Sequence, residues 1–311
     1  MEVKKINEIN KGYSASVSCL LKKIDQLETR TGKSYCVIQV SDGEESIDAK
    51  IWNAQKESAG LVPGKVYDFQ LQHQEYNGAS SWVVESYSKE RDDLSAKDFL
   101  EHAPIEGDVM WKEIVATVND LPEDLRKICT LILSENQKMK YWSAAKSVHH
   151  SFYEGLLYHT YRMLLLAKKM VEVYPAVNKD VLFTAVILHD IGKVDEMEFD
   201  LTTGATAYTV DGQLFGHALI GIKKIWTAKA KLSLNDSENI RMVEHCIAAH
   251  HGQLDWGAIT VPATVEAQLL HLIDMVDSRI EIFEEQGKNL EPGSMSDKVF
   301  SLGTGIYKPL S

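Results

Sequence analysis

Residues 181–193 read Val-Leu-Phe-Thr-Ala-Val-Ile-Leu-His-Asp-Ile-Gly-Lys, and this stretch decides the second half of the fold. Apart from Thr184, its first part is an apolar run with the character of a buried helix. The run ends in His189 and Asp190. An imidazole and a carboxylate left unpaired beside such a helix would cost on the order of several kcal/mol, and a bound metal ion would offset that cost. The pair is therefore a candidate metal site.

A helical pattern extends on both sides of this stretch. Apolar residues recur with the i, i+3, i+4, i+7 spacing of an amphipathic helix at Trp111, Ile114, Val115 and Val118. Further helices are predicted at about residues 155–173, 178–192, 215–231, 236–249 and 263–286. We therefore predict an all-α domain over residues 111–311.

The first 90 residues follow the two-residue alternation of strands instead. Alternating or β-branched runs, separated by turn signals, predict strands at 13–21, 35–40, 47–52, 66–72 and 81–86. The polar residues 53–59 could form one helix between the third and fourth strands. This order matches an OB-fold barrel, and a generic small β-barrel is the alternative. The expected fold class is thus a multidomain α and β protein, with a small N-terminal β-barrel (OB-fold, residues 1–90), a charged linker (91–110) and the all-α domain.

Composition limits the function classes. A net charge of −12 argues against a protein that binds nucleic acid only by coating its phosphates. Bound cations would reverse the field around acidic ligands, so an anionic substrate is not excluded. The four cysteines form no C-x-x-C pair, which predicts free buried thiols. No apolar run is long enough to cross a membrane, and the N-terminus lacks the apolar region of a signal peptide, so we expect no membrane partner and a cytoplasmic location.

Further histidines and aspartates lie on the predicted helices. Taken singly, each has an ordinary explanation as a core hydrogen-bonding group or a surface residue. Taken together with His189 and Asp190, they indicate one multi-metal centre, to which we assign His159, His217, His250, His251 and Asp274. Imidazoles and carboxylates without cysteine suit Mn²⁺, Fe or Zn²⁺ in an open catalytic site. Lys193 returns to the helix face of His189, where its ammonium group can meet a phosphate oxygen.

These motifs carry a family resemblance. The helical domain resembles the HD superfamily of metal-dependent phosphohydrolases through His159, His189-Asp190 and Asp274. Almost the whole chain resembles the YhaM-type 3′→5′ exoribonucleases of Gram-positive bacteria, which join an OB-fold to an HD domain. The residues that carry this resemblance are 149–160, 188–193, 208–217, 249–252, 266–267 and 273–274. The chain departs from the family pattern before His159, where Glu154-Gly-Leu-Leu-Tyr158 stands in place of Gly-Gly-Leu-Leu-Glu.

The resemblance implies a two-metal exonuclease that releases nucleoside monophosphates from single-stranded RNA or DNA. Its metal ligands would be His159, His189, Asp190, His217, His250 (or His251) and Asp274, and the two ions would be Mn²⁺. Asp190 would bridge the ions, with Lys193 and His150 also acting on the phosphate. An OB-fold binds single strands with aromatic and basic side chains, for which the candidates are Tyr35, Trp52, Trp82, Arg30, Lys33 and Lys50.

Two alternatives remain at this point. An HD-type phosphohydrolase could act on a small nucleotide, although an OB-fold would then be superfluous. A cyclic-dinucleotide phosphodiesterase should carry Gly-Tyr-Pro after the paired histidines, where this chain has Gly252-Gln-Leu-Asp-Trp256. A non-catalytic nucleic-acid-binding factor would have no need of the intact ligand set. The sequence leaves a homo-oligomer open.

Overall fold

The computed structural model of the protein describes residues 5–29, 31–76, 79–100, 102–144, 152–200, 202–288 and 290–310. The chain divides into two compact units. The first comprises Met1–His102 with Phe199–Ala205, and the second Ala103–Glu198 with Thr206–Ser311. The change from the first unit to the second falls within the stretch predicted as a linker.

The first unit is a closed five-stranded barrel. Its strands are β1 (Ser14–Glu28), β2 (Ser34–Ser41), β3 (Ser46–Trp52), β4 (Val66–Tyr76) and β5 (Ala79–Glu90), hydrogen-bonded in the order β1-β2-β3-β5-β4. A one-turn helix, α1 (Lys56–Ala59), lies between β3 and β4, and Gly60 ends it in the left-handed region. This order is that of an OB-fold, so the predicted architecture is confirmed.

The barrel core follows from strand alternation. Inward residues such as Val17, Ile38, Ala49, Phe69 and Leu71 are buried, whereas their neighbours along each strand face outward. Closure comes from a short parallel pairing of β3 with β5, in which Ala49 lies opposite Trp82. All five predicted strands exist, and β1, β4 and β5 are longer than the sequence pattern indicated.

The second unit is helical, as predicted. Its helices are α2 (Gly107–Asn119), α3 (Glu123–Glu135), α4 (Gly155–Val173), α5 (Lys179–Leu188), α6 (Lys193–Glu196), α7 (Val210–Lys231), α8 (Glu238–Ala249) and α9 (Val265–Gly287). A small hairpin of β6 (Met197–Phe199) and β7 (Thr206–Tyr208) interrupts the helices, and sequence periodicity did not predict it. Among the described residues, none of these helices combines the length and apolar character needed to cross a membrane.

Two glycines bring α6 and α7 into close contact. A side chain at Gly192 would overlap the carbonyl oxygen of His217, and one at Gly212 would overlap that of Glu196. The predicted helix over 178–192 ends earlier, at Leu188, and a turn through His189 leads into the separate helix α6. These close approaches place the residues after α5 against the middle of α7.

Candidate metal centre

Two groups of metal-ligating side chains lie in the helical unit. His159, His189 and Asp190 form one group, and His217, His250 and His251 form the other. Within each group, the ligand atoms lie within 4.8 Å of one another. The structure therefore brings together residues from α4, the end of α5, α7 and the end of α8, which the sequence analysis had assigned to one site.

The first cluster is the more acidic of the two. The Nε2 atom of His159 lies 3.6 Å from Oδ2 of Asp190 and 3.4 Å from Oδ1 of Asp274. His189 Nε2 lies 3.2 Å from the same Asp190 oxygen. Two imidazoles and two carboxylates thus surround one small volume, and this donor set suits a divalent cation.

The second cluster consists of three imidazoles. His217 Nε2 lies 3.2 Å from Nε2 of His250 and 3.2 Å from Nε2 of His251. The backbone sets the position of His217, because Gly216 adopts a left-handed φ of 68° and interrupts α7 directly before it. The paired histidines directly follow α8, and Gly252 comes after them with a left-handed φ of 80°, as is common just beyond the end of a helix.

Asp190 faces both clusters. Its Oδ2 lies near His159 and His189, whereas its Oδ1 lies 3.3 Å from His217 Nε2 and 4.0 Å from His250 Nε2. A carboxylate whose two oxygens face two separate ligand groups has the arrangement of a bridge between two cations. Asp190 is nearly inaccessible to solvent, with 4% of its surface exposed.

The hydrogen bonds of His189 and His250 leave one ring nitrogen of each free to face a cation. His189 Nδ1 donates to the carbonyl oxygen of Val186 at 2.8 Å, and His250 Nδ1 donates to that of Ile247 at 2.6 Å. Because a carbonyl oxygen only accepts, the neutral form of either ring carries its proton on Nδ1 and leaves Nε2 unprotonated. Among the described residues, the buried His189 Nε2 has no hydrogen-bond partner, since its approach to Asp190 lacks hydrogen-bond geometry. A cation at this point would satisfy an otherwise orphaned lone pair.

Burial and neighbouring charges set the protonation states. Burial, followed by the neighbouring imidazoles, lowers the pKa of His250, and burial also lowers the pKa of His251, so both favour the neutral ligand form. Burial would raise the pKa of Asp190, but His189 and Lys193 outweigh it and hold that pKa well below its usual value. His250 and His251 thus favour the neutral form and Asp190 the ionised form, which are the forms that bind metal ions. Burial would lower the pKa of His159, but Asp274 and Asp277 outweigh it and raise that pKa to about 10, so a cation at this position would have to displace its proton.

The edge of the centre is partly open. The Asp274 side chain is 21% exposed, whereas His159, His189 and His250 are at most 1% exposed. Lys193 lies at the same edge, with its Nζ 2.7 Å from Asp190 Oδ2. Burial would lower the pKa of Lys193, but the carboxylate of Asp190 raises it, so the ammonium form persists. The centre is therefore accessible to solvent at Asp274.

Two carboxylates that the sequence analysis did not assign to the centre contact its ligands. Glu196 accepts a hydrogen bond from His217 Nδ1 at 3.0 Å, and Asp277 accepts one from His159 Nδ1 at 2.7 Å. Asp277 also lies 2.6 Å from Nε of Arg162. The guanidinium of Arg162 lies over the ring of Tyr158, which accounts for the packing at this departure from the family pattern. Carboxylates that hold metal-binding imidazoles by Nδ1 fix the ring orientation.

Part of the predicted nucleic-acid face is assembled on the barrel. Tyr35 and Trp52 are paired across β2 and β3, with ring centroids 5.0 Å apart, and Leu27 lies opposite Tyr35 on β1. Lys50 Nζ lies 5.7 Å from the centroid of the Trp52 ring. These residues face outward, and Trp52 is 47% exposed. They form one aromatic and basic surface, which we call the β2–β3 face.

Other predicted site residues lie elsewhere. Trp82 packs against the barrel core, and its ring stacks on His73 with centroids 4.1 Å apart. Lys33 is exposed in the turn between β1 and β2. Arg30 and His150 lie outside the described residues, so their predicted roles stay predictions.

A helical domain that brings these histidines and aspartates around one shared carboxylate defines an HD-domain protein. The model of the HD domain family matches residues 156–279.

Relatives named 3′-5′ exoribonuclease YhaM match over nearly the full length. The one from Bacillus subtilis (strain 168) is 31% identical over 297 residues, 93% of each chain. The one from Listeria monocytogenes serotype 4b (strain CLIP80459) is 30% identical over 313 residues, 99% of each chain. The one from Oceanobacillus iheyensis is 28% identical over 296 residues, 93% of this chain and 92% of its own. The chain therefore belongs to the YhaM family, as its sequence motifs predicted.

Proposed function

We infer that this protein is a metal-dependent 3′→5′ exonuclease that hydrolyses phosphodiester bonds of single-stranded RNA. The observation that carries the inference is the position of Asp190, whose two oxygens face two separate clusters of imidazoles. The relatives named 3′-5′ exoribonuclease support the direction of digestion and the RNA substrate. Single-stranded DNA is a second substrate that the same chemistry admits.

We propose that two divalent ions bind on either side of Asp190. His159, His189 and Asp274 would hold one ion with Asp190, and the second would be held by His217, His250 and His251. Divalent ions in such a centre lower the pKa of a water nucleophile and neutralise charge on the phosphoryl oxygens. Mn²⁺ is the proposed metal because the family resemblance implies it, whereas the ligand types by themselves also suit Fe or Zn²⁺.

The chain's own side chains would orient the phosphate and stabilise its charge. Lys193 places an ammonium group beside Asp190, where it can contact a phosphoryl oxygen that gains negative charge. The partly exposed Asp274 marks the side from which the 3′ end would enter. The imidazoles of His159, His189 and His250 are at most 1% exposed, so bulk water has little access to these candidate ligands.

The β2–β3 face of the barrel would bind the single strand. Tyr35 and Trp52 offer a stacking surface for bases, and Lys50 offers a cation for the phosphates. Stacking of one base on an aromatic side chain contributes about 1–3 kcal/mol. Replacing Trp52 by Leu should therefore raise the KM for a long RNA by about 5-fold or more. Hydrolysis of a small chromogenic phosphodiester should stay unchanged, and an equal loss on both substrates would refute this role.

The free buried cysteines fit a reducing compartment, and we propose that the enzyme acts in the cytosol.

The direct test uses RNA labelled at its 5′ end, incubated with Mn²⁺ or with chelator. A ladder that shortens from the 3′ end, with release of nucleoside monophosphates, is expected only with Mn²⁺. Asp190→Asn should abolish the ladder, and Asp195→Asn, which removes a neighbouring exposed carboxylate, should keep it. Hydrolysis of free nucleotides but not of RNA would favour a small-nucleotide phosphohydrolase, and RNA binding without hydrolysis would favour a non-catalytic factor.

A further inference from the structure

Glu196 makes three polar contacts with one residue of the second cluster. Its Oε1 accepts hydrogen bonds from the backbone N–H and from the ring Nδ1 of His217, both at 3.0 Å. Its Oε2 lies 3.1 Å from the same Nδ1. Because a carboxylate only accepts, these contacts hold the imidazole by its Nδ1 proton. The lone pair of Nε2 is thereby directed at His250 and His251.

The backbone around His217 depends on the same carboxylate. Gly216 interrupts the helical backbone, so His217 begins the second half of α7. Glu196 accepts the N–H of His217 as a capping side chain does at the start of a helix. Both the direction of the ring and the start of this helical segment are therefore fixed by one side chain.

Close backbone packing holds Glu196 itself in place. A side chain at Gly212 would overlap the carbonyl oxygen of Glu196, and one at Gly192 would overlap that of His217. Glycine at both positions lets α6 and α7 approach at backbone distance. Glu196 is 8% exposed, and the distance between its carboxylate and His217 therefore has little freedom to change.

The other imidazoles do not share this support. His189 and His250 donate their Nδ1 protons to carbonyl oxygens of their own helical segments, and His159 donates to Asp277. Loss of the Glu196 carboxylate should therefore release His217 and leave the ligands of the first cluster in position.

We propose that Glu196 is a positioning residue that secures the second divalent ion, at His217, His250 and His251, without binding that ion itself. The proposal rests on the two-ion centre of the proposed function. It adds that the two ion sites depend on different carboxylates outside the ligand set, Glu196 for one and Asp277 for the other. Removing such a carboxylate typically weakens metal binding by about 10–100-fold.

The test compares Glu196→Gln with Glu198→Gln. The two substitutions each remove one carboxylate charge at nearly constant shape, and Glu198 is exposed on β6. In Glu196→Gln, an NH₂ donor replaces one acceptor oxygen and favours the form of the His217 ring that is protonated at Nε2. That nitrogen then cannot bind an ion.

Metal-free protein is titrated with Mn²⁺, and free Mn²⁺ is measured by electron paramagnetic resonance. The low-temperature spectrum reports whether two bound ions are spin-coupled.

Wild-type protein and Glu198→Gln should each bind two ions and give the spin-coupled spectrum. Glu196→Gln should bind the first ion normally and the second about 10–100-fold more weakly, with loss of the coupled spectrum at concentrations that saturate the wild type. Two ions bound by Glu196→Gln as tightly as by Glu198→Gln would overturn the role of Glu196. Fewer than two ions in the wild type would overturn the two-ion centre itself.

Circular dichroism of the metal-free variants separates loss of an ion from loss of the fold. If Glu196→Gln does not fold, Glu196→Asp replaces it, because it keeps the charge and shortens the side chain. The shorter carboxylate should not reach both N–H groups of His217, and the second ion should again bind more weakly. Full binding of two ions by Glu196→Asp would contradict the proposal.

Discussion

Asp277 lies at the centre of a buried chain of contacts that one substitution should break. Its Oδ2 accepts from His159 Nδ1 at 2.7 Å, and its Oδ1 lies 2.6 Å from Arg162 Nε. Only 4% of Asp277 is exposed. Replacement by Asn keeps the shape and removes the charge, so the cationic Arg162 loses its most buried carboxylate partner.

The expected cost follows from burial. Removing one partner of a buried ion pair destabilises a protein by roughly 3–5 kcal/mol. Arg162 keeps Glu281 at 2.7 Å and Glu284 at 3.3 Å, so we expect Asp277→Asn to cost about 3 kcal/mol, at the lower end. Glu284 contacts the same guanidinium from a side chain that is 59% exposed, and its loss should cost at most about 1 kcal/mol. Glu284→Gln is therefore the matched control.

The assay is urea unfolding of chelator-treated protein, followed by far-ultraviolet circular dichroism. Chelation separates the contribution of the carboxylate contacts from that of bound ions, and the helical unit dominates the signal. The midpoint should fall for Asp277→Asn with little change in the dependence on urea. Equal stability of the two variants would refute the reasoning that burial makes Asp277 the dominant partner of Arg162.

Gly192→Ala should destabilise the helical unit by about 1–3 kcal/mol, because the added methyl group would overlap the carbonyl oxygen of His217. A methyl group at Gly287 would meet no atom of the described residues within 4 Å, so Gly287→Ala should leave the urea midpoint near that of the wild type. The native thiols should resist Ellman's reagent, because burial raises the pKa of Cys129 to about 12 and leaves roughly 0.01% thiolate at pH 8. Rapid labelling before unfolding would contradict the buried positions. Mn²⁺ at about 100 times its Kd should stabilise the folded protein by about 2.7 kcal/mol per site in calorimetry, and Asp190→Asn should lose this gain.

The sequence could predict the elements that depend on local patterns. Alternation located the five barrel strands because their inward residues must be apolar. The candidate metal ligands could be predicted because His189 and Asp190 directly follow an apolar helix, where an unpaired polar pair would be costly. Recognition of the family followed from the same short motifs.

Features that depend on contacts between distant segments were not predictable in this way. Glu196 follows Asp195 in a polar stretch, and no local signal separates the buried Glu196 from the exposed Asp195. Only the approach of α6 to α7 distinguishes them. Trp82 is an aromatic residue of the kind that stacks on bases. In the structure it lies opposite Ala49 and packs against the barrel core. The side of a strand on which a residue lies depends on register, which identity alone does not determine.

The most direct test of the two-ion centre is a crystal structure of the protein grown with Mn²⁺, with anomalous scattering recorded to locate the metal. The account predicts two peaks on opposite sides of Asp190. One peak should lie within bonding distance of His159, His189 and Asp274, and the other should lie within bonding distance of His217, His250 and His251. A single peak, or peaks that Asp190 does not contact, would contradict it.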